Sequence, residues 1–271
     1  MKLYQKNYLK TIIEFDSETM PNVENFSDLS EKKQNIWLTK YHSKFLLKEI
    51  ESRKEKQFLK LVAKGTCSYQ TASEVPMNDL ISANEIYQRY SPLIAEFGRV
   101  FCISIGLFEE DEETGELQMN VTTICEDEEK ETISTFFDFL DSSQMRGYIL
   151  GGYNISGFDI PFITKRALIL GLDLPKPFQL LGKKPWEINM ADLALDWKGT
   201  QWEMTSLASV CLALDVESPK TEFNNDEVVP LYLAGKITKQ QVCDYCERDV
   251  YAPMKVRLKL CSETSKKSVK V

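Results

Sequence analysis

Residues 147–170, GYILGGYNISGFDIPFITKRALIL, constrain the fold more than any other stretch. An apolar run ends at Tyr153, a turn passes from Asn154 to Gly157, and a helical pattern begins near Asp159. Pro161 suits the first helical turn, where its missing N–H leaves no bond unmade. A buried strand that turns straight into a helix belongs in a sheet whose face that helix covers. The neighbouring pattern agrees. RVFCISIGLF (99–108) and ELQMNVTTIC (116–125) read as strands joined by the acidic turn EEDEETG, a hairpin. A helix over 131–143 leads into the 147–153 strand, and MTSLASVCLAL (204–214) and residues 237–261 are helical in pattern. A first strand is expected over 8–16, with Ile12, Ile13 and Phe15 as its apolar content.

Between that strand and the hairpin, Ile36, Trp37, Tyr41, Phe45, Ile50, Phe58, Leu61 and Val62 recur at helical spacing over 31–64. Gly65 is the expected stop, and a shorter helix follows around 78–90. The expectation is a mixed α/β sheet with helices on both faces and a helical insertion at about 29–90. With no internal repeat or Gly/Ser/Pro linker in 271 residues, a single domain over 1–271 is expected.

No apolar run is long enough to span a membrane, since RALILGLDL is short and contains Asp173. MKLYQKNYLK lacks a signal-peptide core, and the seven cysteines are irregularly spaced. Both point to the cytoplasm and to free thiols. A net charge of −8 argues against a broad basic face for duplex DNA. It is compatible with a cleft that takes one strand end, where bound cations supply the positive charge.

The first strand ends in TIIEFDSETM (11–20). If it persists, Asp16 and Glu18 share one face and Ser17 turns away. The pair reads either as a solvated strand edge or as part of a site for a hard divalent ion, which prefers such oxygens. Asp159 reads either as a helix N-cap or as a ligand. In DYCERDVYAP (244–253), Tyr245 and Asp249 are four apart and share a helix face, as an exposed pair or as members of one site.

In order, F-D-x-E-T (15–19), N-x-x-x-F-D-x-P (154–161) and Y-x-x-x-D (245–249) resemble the DEDD 3′→5′ exonucleases of the ribonuclease H-like fold. The resemblance is above all to the proofreading domain of family B DNA polymerases and its stand-alone bacterial relatives. GYNISGFDIPFI carries most of it, supported by EFGRVFCISIG (96–106) and SLASVCLALDVESPK (206–220). The similarity runs along nearly the whole chain, and no polymerase domain follows, as in the stand-alone form. The family's histidine variant has His where this chain has Asp244; Tyr245 instead matches the tyrosine subclass. The only histidine, His42, lies in the helical insertion.

The resemblance implies that Asp16, Glu18, Asp159 and Asp249 bind two divalent ions, Mg²⁺ or Mn²⁺. It implies that Tyr245 orients the attacking water and that nucleoside 5′-monophosphates leave the 3′ end of a single strand, DNA before RNA. Thr19, Met20, Asn154 and Phe158 match positions on the path of the strand, although Phe158 also reads as core. Lys220 is a phosphate contact or simply solvated. After it, relatives carry a small Asp-Gly turn, whereas this chain has TEFNNDE.

Cys243-x-x-Cys246 invites a redox or zinc reading, but with no second cysteine pair, and late on a helix beside Tyr245, it is read as two plain helical cysteines. The runs EEDEETGE and EDEEKE read as solvated acids, and the lysines of 44–64, alternating with Glu49, Glu51 and Glu55, as a solvated helix face. Alternative functions are an exoribonuclease or a non-catalytic domain of exonuclease type that binds nucleic acid. An aspartate-nucleophile phosphatase is set aside, because D-x-D-x-T would need Asp and Thr where Glu18 and Met20 stand.

Overall fold

The apolar run Ile12–Phe15 becomes a strand that starts later and ends later than the sequence pattern indicates. The structure is a computed structural model, described for residues 3–63, 81–142, 147–180, 182–184, 187–218 and 225–261. Its strands are β1 (Ile12–Pro21), β2 (Gly98–Glu110), β3 (Leu117–Ile124), β4 (Ile149–Gly152) and β5 (Met190–Asp192). Tyr8 and Leu9, expected to begin the first strand, belong instead to a short helix α1 (Lys6–Leu9) anchored by the fully buried Leu9. The strand then continues past Asp16 because its odd positions Phe15, Ser17 and Thr19 stay buried.

The strand order β3-β2-β1-β4-β5 is that of a ribonuclease H-like sheet. β2 and β3 form the expected antiparallel hairpin, and β4 pairs in parallel with β1 and β5. Parallel neighbours require crossovers, and the insertion, the hairpin and a helix lie between β1 and β4. Gly151 lets β1 and β4 close up: a Cβ there would stand 2.3 Å from Ile12 and 3.0 Å from Glu14.

The remaining helices are α2 (Glu31–Trp37), α3 (Ser43–Ala63), α4 (Ala83–Tyr90), α5 (Glu129–Asp141), α6 (Asp159–Ile169), α7 (Leu193–Lys198), α8 (Leu207–Ala213), α9 (Asn225–Leu233) and α10 (Lys239–Leu260). None is long and apolar enough to cross a membrane among the described residues. Contacts divide the chain into one unit of Met1–Thr19 with Arg99–Val271 and a second of Met20–Gly98.

In the first unit β1 has helices on both sides. Its odd positions meet α5 and α6: Phe15 packs on Phe136 with ring centroids 5.4 Å apart, and Phe136 packs edge-on against Phe178. Thr132, Ile133, Phe136, Phe137 and Leu140 form the buried stripe of α5 at helical spacing. Its even positions meet α10. Ile12 joins a core with Val250, Met254 and Val256, and the fully buried Glu14 pairs with the fully buried Arg257. Thr238 and Gln241 form a reciprocal capping box that starts α10.

The second unit is built on aromatic packing. Trp37 is fully buried, with Tyr87 and Phe97 each 5.2 Å away and Tyr41 and Phe45 at 5.7 and 6.0 Å. The pattern expected as one helix over 31–64 is two, separated by a π turn at Leu38–His42 that includes His42. Gly65 and residues 78–80 lie outside the described residues. Glu49 is not on a solvated face. It is 2% exposed and held by Arg53 at 2.7 Å, Tyr90 at 2.9 Å and Arg89 at 3.1 Å. Its partners Arg89 and Tyr90 come from α4 and its end, which local spacing on α3 does not reveal.

Candidate active site

Two faces of β1 contribute to one cluster. Asp16 and Glu18 sit half-buried on the α10 side, and an oxygen of each lies within 4.8 Å of the other and of Cys246 Sγ. The Cys246 thiol is 3.5 Å from the Asp16 carbonyl oxygen and 3.8 Å from its carboxylate. One residue earlier on α10, Tyr245 is buried and its hydroxyl donates to the Asp249 carboxylate, one turn further along. That link follows from four-residue spacing on a helix.

Ser17 does face away from Asp16 and Glu18, and it there meets α6. Its backbone N–H and hydroxyl both donate to Asp159 Oδ1, at 3.1 and 2.6 Å. Asp159 is the first residue of α6, with Phe158 at the N-cap position. The turn before α6 is held by Asp192, at the end of β5. One Asp192 oxygen accepts from the Asn154 N–H at 2.8 Å, and the other from the Ser156 N–H at 3.0 Å and its hydroxyl at 2.5 Å. Asn154 adopts a positive φ of 61°, a conformation that asparagine tolerates better than most residues.

The electrostatics join these groups into one site. Burial first, and then the charges of Asp159, Cys246, Asp249 and Glu18, hold the Asp16 carboxyl well above the usual range. Burial, followed by Cys246, Asp249 and Asp159, does the same to Glu18. Asp159 is pushed up to about 7, because burial outweighs the hydrogen bonds from Ser17 that favour its charged form. Burial and the charges of Asp249, Glu18 and Asp16 raise the Tyr245 phenol, so it keeps its proton at neutral pH. Asp159 and Asp249 penalise the ionisation of both Asp16 and Glu18, and a hard divalent cation relieves such a set of carboxylates. Those residues therefore fit divalent metal.

The other expected contacts are placed as follows. Thr19 is 6% exposed and lies on the Ser17 face of β1 by strand alternation. Met20 is buried within the second unit. Asn154 is in the turn before α6. Phe158 is half-buried, with its ring 5.5 Å from the core residue Phe162. Lys220 lies outside the described residues. Sequence reading passed over Ser17 and Cys246 as ligand neighbours and gave Asp192 no role. Of the three, only Asp192 carried a signal, as an N-cap acid ahead of the apolar helix LALDWK.

Residues 92–266 match the model of a family described as predicted 3′–5′ exonuclease related to the exonuclease domain of PolB. Asp159, Tyr245 and Asp249 fall within the matched segment, and Asp16 and Glu18 precede it. No curated protein matches the chain. Among solved structures, the family B DNA polymerase of the hyperthermophilic archaeon Pyrobaculum calidifontis is similar, with a TM-score of 0.42 and 17% identity, over 60% of this chain and 22% of its own. The chain thus spans less than a quarter of that polymerase.

Proposed function

The chain belongs to the family of predicted 3′–5′ exonucleases related to the exonuclease domain of PolB, and from that premise we propose that it removes nucleoside 5′-monophosphates from the 3′ end of single-stranded DNA. It is a member of the tyrosine subclass in this reading. The observation that carries the proposal is the convergence of Asp16, Glu18, Asp159 and Asp249, with Tyr245 bonded to Asp249. Asp16, Glu18, Asp159 and Asp249 would hold two divalent ions, Mg²⁺ or Mn²⁺, which when bound act as Lewis acids on the phosphoryl oxygens and make water a better nucleophile.

The chain's own residues position and orient. A phenol raised above its ordinary value is a poor base and a good hydrogen-bond donor. Tyr245 therefore orients the attacking water and does not remove its proton. Ser17 fixes one Asp159 oxygen, and the other would be the one to bind. Asp192 braces the 154–156 turn, which keeps Asn154 and Phe158 in place beside the strand path. Lys220 is kept as a phosphate contact in this reading, whereas Thr19 and Met20, at 6% and 1% exposure, offer a strand little surface. A net charge of −8 suits engagement of one strand end rather than a long duplex.

The test uses 3′-labelled and 5′-labelled single strands of DNA and of RNA, with Mg²⁺, with Mn²⁺ and with chelator. The expected result is metal-dependent release of mononucleotides from the 3′ end of DNA, abolished in Asp16→Ala. A folded wild-type protein that is inert on both polymers refutes catalysis, and preference for RNA refutes the substrate.

A further inference from the structure

Beside the carboxylate cluster, three cysteines from distant parts of the sequence come together. Cys102 lies in β2, Cys125 directly follows β3, and Cys243 is on α10. Their three Sγ atoms all lie within 4.8 Å of one another. The sheet explains two of them. Cys102 and Cys125 stand one step beyond the Ile103–Ile124 pair of the antiparallel hairpin, so their side chains leave the same face. The third comes from α10, which packs on that face. Cys243, read from sequence as a plain helical cysteine, therefore meets two cysteines of the hairpin, while Cys246 belongs to the Asp16–Glu18 group.

Cys102 is fully buried, Cys243 is buried and Cys125 is half-buried. Cys102 also bonds to Cys246, and the Cys125 thiol donates to the Phe101 carbonyl oxygen at 3.4 Å; within the trio, Cys102 and Cys243 each bond to Cys125. Those two bonds, with Lys239 and Arg99 nearby, hold the Cys125 thiol far below its ordinary range, whereas the bond to Cys125 raises Cys102. A disulfide would use two of the three sulfurs and leave the third buried beside it. Three thiolates around one tetrahedral zinc-type ion, with Zn–S bonds of about 2.3 Å, stand roughly 3.8 Å apart. The observed cluster is compatible with that spacing.

We propose that Cys102, Cys125 and Cys243 form a binding site for a thiophilic divalent cation of the zinc class, with the fourth position open to water on the Cys125 side. It is chemically separate from the oxygen-lined site, because soft thiolates and hard carboxylates select different ions. Cys246 lies between the two, its thiol turned to Asp16. The bound ion ties α10, and with it Tyr245 and Asp249, to the β2–β3 hairpin.

The test is cobalt titration of full-length protein freed of metal by chelator and kept reduced by a non-thiol reductant. Binding at the cysteines produces an intense thiolate-to-cobalt charge-transfer band that saturates at one equivalent and disappears when Zn²⁺ is added. Because Cys246 lies beside the carboxylates and could lend cobalt a thiolate there, the band is assigned by variants: Asp16→Asn and Cys246→Ala retain it while Cys125→Ser loses it. Zn²⁺ also slows alkylation of Cys125 in the wild type at least tenfold, a measurement independent of whether any variant folds. The proposal is overturned by absence of the band in folded wild-type protein, by a band of equal intensity in Cys125→Ser, or by a disulfide joining two of the three cysteines under the reducing conditions. These readouts are independent of nuclease activity.

Discussion

Replacing Asp159 with asparagine should stabilise the metal-free protein at neutral pH while abolishing its activity. Asp159 is 3% exposed, and its acidity is pushed from an ordinary 3.8 to about 7, chiefly by burial. At about 1.36 kcal/mol per pH unit, ionising it in the folded state costs roughly 4 kcal/mol relative to the unfolded chain. The folded state binds the proton more tightly, so this contribution to stability is fully present below pH 3.8 and is lost as pH rises through about 7. An asparagine side chain at this position has no proton to lose, and its amide oxygen still accepts from Ser17. Allowing for relaxation around an ionised carboxylate, Asp159→Asn should gain about 2 kcal/mol at pH 8 in chelator, or roughly 4–8 °C in melting midpoint. Thermal melts at pH 4, 6 and 8 measure the effect, and the advantage should vanish at pH 4. Saturating Mg²⁺ should raise the wild-type midpoint more than that of the variant. A variant no more stable than wild type at pH 8, or an equal gap at pH 4, would refute the account of a charge-frustrated site. The expected cost in activity is the usual exchange between function and stability at such a site.

Three further outcomes follow from the geometry. Ser17→Ala removes the hydroxyl bond to Asp159 while the backbone N–H bond remains; kcat should fall about tenfold, corresponding to roughly 1.4 kcal/mol for a hydrogen bond to a charged group, with KM little changed in steady-state assays. Tyr245→Phe should lower kcat on the order of 100-fold while metal binding measured by calorimetry is retained, and because the wild-type phenol stays protonated, its pH–rate profile should show no limb from Tyr245 below pH 10. Arg257→Met strands the fully buried Glu14 and should cost about 3–5 kcal/mol in denaturant unfolding, of which the Glu14→Gln/Arg257→Met double variant should recover at least half.

The parts of the site that could be read from sequence are those governed by local periodicity. Alternation along β1 places Asp16 and Glu18 together, and the helical repeat places Tyr245 above Asp249. The same rules are silent on what approaches from another element. Alternation assigns Ser17 to the far face, which is correct, but does not say that α6 begins there with Asp159. The Cys243-x-x-Cys246 spacing is visible in sequence, yet its partners lie across a hairpin more than a hundred residues earlier. Glu49 reads as one acid among lysines until Arg89 and Tyr90 close on it from α4 and its end.

Ser17 also accounts for how a strand with two covered faces supplies a single cluster. Even positions descend from the apolar Ile12, through the paired Glu14, to the acids Asp16 and Glu18, all towards α10. Odd positions run from Phe15 in the α5 core to Ser17, which meets the first residue of α6. Ionised carboxylates tolerate burial only where partners or cations replace water, so the change from apolar to acidic along β1 marks where the packed core ends and the site begins. Asp159 reaches that point because the turn braced by Asp192 starts α6 beside Ser17. Two hydrogen bonds to one Asp159 oxygen hold the carboxylate against the repulsion of its neighbours, which orders the acid at the position where its charge is least favourable.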